Sequence, residues 1–409
     1  MRKINPKSFK IAKQGTSREI NRQIALTLIQ THQPVSRADL SRLMDTNRAN
    51  ITFLINDLMD EGIVKEGATG NDAKRGRRPT FLYLNSHQHC AVAVDIRASR
   101  TYLMVTDMLG KQLENIVSFP TELEPAKFIK TLSLRIRQLL ADNKKEVSEC
   151  DGIGVVVPGM TNVRTGRILR APALGWLDVD LLALLRKEFE NIPIYIENSG
   201  KACALSQIWS NSSDLQTHND LVFVSISDGV GVGVIINGEL MRGKHNTAGE
   251  FGHLPLSIDG LPCLCGANGC WEAYISNLAT ISRYFGKNLS QRQPLSLETA
   301  NFTIEDLIKR ARTGDGKALA ALHLTARYLG LGLASIINAI DPSQIYLGGE
   351  ITEAWDIIEP QVRDGIKERT LTKELGLTPI QIVPASEYPR LRGAVALVTA
   401  PAFAAPKVA

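Results

Sequence analysis

Residues 245–272 read His-Asn-Thr-Ala-Gly-Glu-Phe-Gly-His-Leu-Pro-Leu-Ser-Ile-Asp-Gly-Leu-Pro-Cys-Leu-Cys-Gly-Ala-Asn-Gly-Cys-Trp-Glu. Within them, His253, Cys263, Cys265 and Cys270 offer one nitrogen and three sulfurs. Gly266 and Gly269 let the chain fold back so that the third thiolate closes the set. Four N/S ligands with no open position suit a structural, tetrahedral Zn²⁺, which orders a loop rather than activating water. His245 is a bystander to this set. In a reducing compartment, three cysteines within eight residues read as metal ligands before disulfides. The chain's other cysteines, Cys90, Cys150 and Cys203, lie in apolar surroundings and are expected to be buried core thiols.

A second chemical signal is charge. The chain carries 47 Lys+Arg against 42 Asp+Glu, a net of +5. Residues 1–85 hold 15 of the basic and 8 of the acidic residues, a net of +7, which leaves 32 against 34 for the remainder. A basic first fifth on a near-neutral body points to a nucleic-acid-binding appendage, although charge alone is also compatible with a merely solvated surface. The 409 residues suggest two or three domains of ordinary globular composition, 44% hydrophobic and 22% charged. No apolar run reaches the ~18–20 residues that span a bilayer, and residues 1–14 lack the apolar core of a signal peptide. The expected compartment is the cytoplasm, with no membrane partner.

The elements needed to use that charge are legible. Ser17 is placed to cap a helix over residues 17–31, with Ile20, Ile24, Leu28 and Ile29 on one face. Ser36 caps a second helix over 37–44, with Asp39 three residues on as its capping-box partner and Leu40, Leu43 and Met44 as its apolar side. A polar turn over 45–48 leads to a third helix ending near 61, with Ile51, Leu54, Ile55 and Leu58 as its stripe and Gly62 as a left-handed cap. Two short helices joined by a tight turn are the helix-turn-helix pattern. The N-terminal residues of the second would enter the major groove: Asn47, Arg48, Asn50 and Thr52. A Gly-rich basic loop over 67–79, followed by a strand over 80–84, then forms a wing. Its Lys74, Arg75, Arg77 and Arg78 are compact enough to follow phosphates or enter a narrow minor groove. The alternative is a three-helix interaction module with no DNA role.

From Cys90 the texture changes to strands over 91–95, 101–107 and 112–119, then a helix over 125–143. A similar cadence returns with strands over 221–227, 232–236 and 239–242, the last after an Asn237-Gly238 hairpin turn. Two copies of a hairpin-rich unit imply a duplicated, two-lobed α/β body with ligands in the cleft between lobes. Gly229, Gly231 and Gly233 alternate in a way that suits either a phosphate's approach to backbone amides or a tight hairpin with no ligand. Asp341-Pro342 and Gly348-Gly349 flank one further strand, over 344–347.

These motifs together resemble the ROK family, a group of repressors and sugar kinases of the actin-like ATPase (ribonuclease H-like) fold. Glu250-Phe-Gly-His253 is similar to its Glu-x-Gly-His sugar motif. Residues 263–272 are similar to its Cys-x-Cys-Gly-x-x-Gly-Cys-x-Glu zinc motif, and residues 338–349 to its Asn-x-x-Pro…Gly-Gly stretch. The resemblance covers about 88–400, and the preceding winged helix is what the repressor branch carries. It implies a fold class of α/β, with a winged helix-turn-helix over 1–85 and a two-lobed body over 86–409. Lobe one would take about 86–205 plus 388–409, and lobe two about 206–387 with the zinc loop. It further implies that Gly159, Asn198, Glu250, His253 and Glu272 face a sugar, His253 through the nitrogen that does not hold zinc.

Two departures weigh against catalysis. The kinases carry Glu-Asn-Asp-Ala-Asn, whose Asp is the general base, and here the stretch reads Glu197-Asn-Ser-Gly-Lys201. Ser199 at the base position is far too weak, and losing a positioned base typically costs ~10²–10⁴ in rate. The first phosphate loop, Asp-x-Gly-Gly-Thr in the family, is Asp95-Ile-Arg-Ala-Ser99. A third departure, Pro172-Ala-Leu174 in place of Pro-Asn-Leu, removes an amide from the sugar's surroundings. The expectation is a non-enzymatic regulator, most simply a repressor of carbohydrate-use genes, binding a double-stranded DNA operator as a homodimer or homotetramer with a sugar effector. The alternatives are an active kinase with a DNA-binding appendage, and a sugar-blind regulator whose body serves oligomerisation or docking.

Overall fold

A computed structural model describes residues 14–67, 80–86, 88–210, 220–286 and 302–403. The expected wing residues Lys74, Arg75, Arg77 and Arg78 lie outside the described residues.

The chain opens with α1 (Gln14–His32), β1 (Val35–Ser36), α2 (Arg37–Leu43), α3 (Arg48–Asp60), β2 (Val64–Gly67) and β3 (Phe81–Leu84). Ser17 is inside α1 rather than at its start. The buried face of α1 is Ala25, Leu26 and Ile29, while Ile24 is 37% exposed. The expected stripe is rotated because α1 packs on β3 and on the last helix of the chain, far away in sequence. Ser36 does cap α2, with its hydroxyl accepting from the Asp39 amide at 3.2 Å and Asp39 returning the bond to the Ser36 amide at 3.1 Å. Leu40 is buried there, but Leu43 is 49% exposed at the C-terminal end of a helix one residue shorter than expected. Gly62 has φ +73°, as its capping role requires. The three strands form a small sheet in the order β1-β3-β2; the pairing of β1 with β3 was not foreseen from the two residues that compose it.

The body begins with β4 (Cys90–Ile96), β5 (Arg100–Asp107), β6 (Val117–Pro120) and α4 (Pro125–Asp142). It continues through β7 (Cys150–Val157), β8 (Met160–Asn162), β9 (Arg167–Ala171), β10 (Trp176–Asp180), α5 (Leu181–Glu188), β11 (Ile194–Asn198) and α6 (Ser199–Ser210). The second half supplies β12 (Leu221–Ile226), β13 (Val230–Ile236), β14 (Glu239–Leu240), α7 (Glu272–Ile275), α8 (Asn277–Phe285) and α9 (Ile304–Arg312). It ends with α10 (Gly316–Ile340), β15 (Gln344–Gly348), α11 (Trp355–Arg369), β16 (Ile380–Val383) and α12 (Pro389–Phe403).

Two five-stranded sheets, β11-β7-β4-β5-β6 and β14-β13-β12-β15-β16, have the same topology. In each, the first strand lies centrally, antiparallel to the second and parallel to the fourth. The duplicated, two-lobed α/β body is therefore present. The third strand of lobe one is shorter than the expected 112–119. The Asp107 carboxylate accepts from the amides of Leu109 and Lys111, both at 2.9 Å, and this turn leaves Gln112 only a single bridge to Thr106. Each lobe has its own apolar core, one centred on Val92, Phe128 and Ile153, the other on Val224, Leu329 and Ile345. Cys90, Cys150 and Cys203 are buried and unpaired. Among the described residues one helix, α10, is long and apolar enough to cross a bilayer by length and mean hydropathy (1.3), although charged side chains interrupt its apolar run. It is the core helix of lobe two, with 61% of its apolar window buried.

Candidate functional site

The loop between β14 and α7 is shaped by two close approaches. Leu256 donates to the Gly269 carbonyl at 2.8 Å, and Gly269 donates to the Leu261 carbonyl at 2.7 Å. Gly269 has φ +72°, and a Cβ there would lie 1.6 Å from the Ser257 carbonyl oxygen, so no side chain fits. The fold-back brings one ligand atom from each of His253, Cys263, Cys265 and Cys270 within 4.8 Å of one another. The Cys265 and Cys270 sulfurs are 3.6 Å apart, and Cys263 Sγ is 3.7 Å from His253 Nδ1. Two sulfurs bound at ~2.3 Å in a tetrahedron lie ~3.7–3.8 Å apart, so these residues fit a metal ion as arranged. Burial pushes the Cys270 thiol up to about 11 and Cys263 higher still, a cost that a bound cation would reverse by holding both as thiolates. Since Nδ1 faces the sulfurs, the His253 Nε2 is the nitrogen left for another partner.

Glu272 follows directly on this loop. Its Oε2 accepts from the Val230 amide at 2.8 Å, and its Oε1 lies 3.5 Å from Cys263 Sγ. The alternating glycines of β13 now find their reasons. A Cβ on Gly229 would sit 2.9 Å from Glu272 Oε2, one on Gly231 3.1 Å from Gly200 Cα, and one on Gly233 2.4 Å from the Gly200 carbonyl. Gly229 makes room for a carboxylate, and Gly231 and Gly233 let α6 lie against β13 at backbone distance.

Of the remaining expected sugar residues, Asn198 and Gly159 are joined: Asn198 Nδ2 donates to the Gly159 carbonyl at 2.8 Å. Asn198 Oδ1 meanwhile accepts from the Gly200 amide at 2.9 Å, capping the start of α6. Burial pushes the Glu250 carboxyl up, and the charges of Lys201 and His253 pull it back. Gly159 and Asn198 thus come from lobe one, and Glu250, His253 and Glu272 from lobe two. Arg170 ties the two sides together, reaching from β9 to the Cys265 carbonyl at 2.9 Å and the Leu264 carbonyl at 3.3 Å.

Sequence reasoning missed Lys201. It is fully buried, donates from Nζ to the Asn246 carbonyl at 2.5 Å, and has its ammonium disfavoured by burial while Glu197 and Glu250 favour it. Glu197, also buried, is paired with Arg242. The signal was available, since a lysine stands where the kinases have asparagine.

At the altered first phosphate loop, side chains bridge the lobes. Arg97 Nε donates to buried Asp95 at 2.7 Å, while its Nη1 lies 3.9 Å from Glu350 of lobe two. Arg390 of α12 stands 3.9 Å from the other Asp95 oxygen, and Asn277 donates to Glu350 at 3.0 Å. Arg97 also stacks over Tyr102, 4.7 Å from its centroid.

In the N-terminal module, ion pairs of Arg18 with Asp57 (2.6 Å) and Arg22 with Glu61 (2.5 Å) hold α1 to α3, and Arg37 pairs with Glu66 of β2 at 3.0 Å. Asn47 caps α3, its Oδ1 accepting from the Asn50 amide at 2.8 Å. Asn50 Nδ2 donates to Thr46 Oγ1 at 3.3 Å, and Thr52 Oγ1 to the Arg48 carbonyl at 2.8 Å. The module and the body share a core: Phe403 of α12 packs with Trp209, ring centroids 5.7 Å apart, beneath Leu26 and Ile29. Thr27 Oγ1 donates to the Phe403 carbonyl at 3.1 Å, and Gln23 to that of Pro401 at 3.4 Å.

The ROK family model matches residues 91–400. The xylose repressor of Bacillus subtilis (strain 168) is 29% identical over 380 residues, covering 92% of this chain and 93% of that protein. The crystal structure of a ROK family transcriptional regulator, a homologue of the E. coli MLC protein, superposes with a TM-score of 0.78 at 24% identity, covering 95% of this chain and 97% of that one. A ROK family glucokinase from Streptomyces griseus, solved with glucose and AMPPNP, gives a TM-score of 0.63 at 23% identity. It covers 75% of this chain and 98% of its own.

Proposed function

The chain belongs to the ROK family, and from that premise we propose that it is a DNA-binding transcriptional regulator, a repressor of carbohydrate-use genes, whose DNA affinity changes when a sugar or sugar derivative occupies the cleft between the lobes. What carries this reading is one pairing. A helix-turn-helix is joined through a shared core to a sugar-kinase-like body whose general-base position is Ser199. Its full-length relative is named a repressor.

In this reading residues 1–85 are the DNA-binding domain and 86–409 the sensor. Arg48 of α3 and the basic residues Lys74, Arg75, Arg77 and Arg78 would meet phosphates and base edges, with Asn47, Asn50 and Thr52 beside them. His253, Cys263, Cys265 and Cys270 would hold a structural Zn²⁺, which supplies order to the loop and no open coordination position. Glu250 and Glu272 would accept hydrogen bonds from neighbouring hydroxyls, and His253 Nε2 and the free Asn198 amide hydrogen would complete the set with Gly159. Assembly as a homodimer or homotetramer would place two recognition helices on a two-fold operator. No kinase activity is expected, because Ser199 cannot take a proton at neutral pH and the stretch Asp95-Ile-Arg-Ala-Ser99 lacks the two glycines of the kinases' first phosphate loop.

The test combines binding and turnover. The full-length protein should retain duplex DNA from its own promoter region at about 100 mM salt, with a steep salt slope. A panel of pentoses and hexoses, D-xylose included, should change that affinity through one member. ATP-dependent phosphorylation of the same panel should be absent, and should stay absent in Ser199→Asp. Phosphoryl transfer by the unmodified chain, or failure to retain any such DNA, would sink the proposal. A sugar-blind regulator is the second reading, favoured by Ala173 and by the engagement of Asn198 in its own helix cap. DNA binding indifferent to every sugar would select it.

A further inference from the structure

Phe53 is the most exposed large apolar side chain among the described residues of the N-terminal module, at 74%. It stands on α3, whose opposite face buries Ile51, Ile55 and Leu58. Ala49 and Thr52, both exposed, share its face at helical spacing. Several polar groups nearby are engaged within the module. Thr52, an exposed residue, donates from Oγ1 to the Arg48 carbonyl, and the Asn50 amide turns back to Thr46. Asn56 Oδ1 accepts from Arg37 at 3.0 Å. A helix placed to enter the major groove thus presents Ala49, Thr52 and an aromatic ring in the middle of its outward face.

We propose that Phe53, flanked by Ala49 and Thr52, reads the 5-methyl groups of thymines in the major groove. The inference rests on the DNA-binding reading and deepens it by naming the base feature that is recognised. Among base edges in that groove, the thymine methyl is the apolar one. The net charge of +7 over residues 1–85 favours a polyanion as the occupant of this face over an apolar protein surface. Phe53 would also discriminate against cytosine, which lacks the methyl and presents an amino group that an aromatic ring would strip of water without replacing its hydrogen bond.

The experiment uses the full chain. A bound duplex is selected from a random double-stranded library and its thymines are replaced one at a time by deoxyuridine, which deletes only the methyl. Affinity is read by fluorescence anisotropy at fixed salt. At one or more thymines per half-site the substitution should weaken the unmodified protein three- to tenfold. In Phe53→Ala the same substitutions should cost less than twofold. Folding of Phe53→Ala is checked by thermal melting, which an exposed side chain should leave unchanged. Tight binding with no uracil penalty at any position overturns the inference and leaves the DNA reading standing, as does an undiminished penalty in Phe53→Ala. A library that yields no retained duplex removes the DNA reading itself.

Discussion

Replacing Gly269 by alanine should separate the shape of the cysteine loop from its ligands. The new Cβ would lie 1.6 Å from the Ser257 carbonyl oxygen, and carbon and oxygen do not approach within about 3 Å, so the loop must open by at least ~1.4 Å. That opening breaks the bonds from Leu256 to the Gly269 carbonyl and from Gly269 to the Leu261 carbonyl, each worth ~1 kcal/mol net. The left-handed φ of +72° adds ~1 kcal/mol for a non-glycine residue. A loss of ~3 kcal/mol corresponds to about a hundredfold in metal affinity. Cys270, the next residue, would carry the displacement directly into the ligand set. Gly266 is the control: it has φ +104° with nothing within 4 Å, so Gly266→Ala meets backbone strain alone and should cost about tenfold. Both affinities are measured by competing zinc away with a chromophoric chelator. If Gly269→Ala binds zinc as tightly as the unmodified chain, or if the order of the two variants is reversed, the derivation of the loop's geometry is wrong.

Three further outcomes follow from the described contacts. The Ser36 hydroxyl holds the Asp39 carboxyl below the usual carboxylate range, so this cap's contribution is present above about pH 4 and is lost as pH falls through the lowered value. Asp39→Asn should therefore cost ~1 kcal/mol in urea melts at pH 7, and the difference from the unmodified protein should shrink as pH falls through that lowered value. Arg97→Ala leaves buried Asp95 with only Arg390, 3.9 Å away, and should lower stability by ~3 kcal/mol. Adding Asp95→Asn should recover part of that loss in the same denaturant titration, and no recovery would refute the pairing. Phe403→Ala removes the ring that joins α12 to the winged-helix core, worth ~2–3 kcal/mol of buried apolar contact. Limited proteolysis should then release an N-terminal fragment near residue 85 much faster than before.

The parts of the site legible in the sequence are those built by local geometry. His253, Cys263, Cys265 and Cys270 fall within eighteen residues, so ligand type, spacing and two glycines were enough to specify the cluster. The Ser36–Asp39 box is equally local. The face of α1 was misjudged because Ile20 and Ile24 satisfy helical periodicity as well as Ala25 and Leu26 do, and only the distant α12 and β3 decide between them. The stripe of Ile51, Leu54, Ile55 and Leu58 already leaves Phe53 on the outer side of α3, but nothing local says what an exposed ring there would touch. Gly229, Gly231 and Gly233 were ambiguous because glycine serves any close approach, and the approaching groups, Glu272 and Gly200, are remote in sequence. The Arg97–Glu350 contact joins residues some 250 apart, with nothing local to announce it.

The position of α12 gives the cleft a mechanical path to the DNA module. A Cβ on Gly154 of β7 would lie 2.0 Å from the Ala394 carbonyl, and one on Gly393 2.0 Å from the Ala202 carbonyl. Helix α12 therefore lies at backbone distance against both β7 and α6, with no side-chain layer between them to absorb displacement. Helix α6 begins at Ser199, capped by Asn198, packs through Gly200 on β13, and so touches the proposed sugar site and lobe two at once. The far end of α12 delivers Phe403 into the core that contains Leu26 and Ile29 of α1, and α1 is fastened by two ion pairs to α3. A change in lobe angle that moves α6 must therefore move α12 with it and alter the seat of α1. A ligand shifts that arrangement only by its difference in affinity for the two lobe positions. Contributions of 1–3 kcal/mol are typical of such coupling and comparable with the contact Phe403 makes. Residues 95–99 belong to the same path: Arg390 on α12 and Arg97 converge on Asp95, while Arg97 reaches across to Glu350, so this turn is a charged joint between the two lobes and α12.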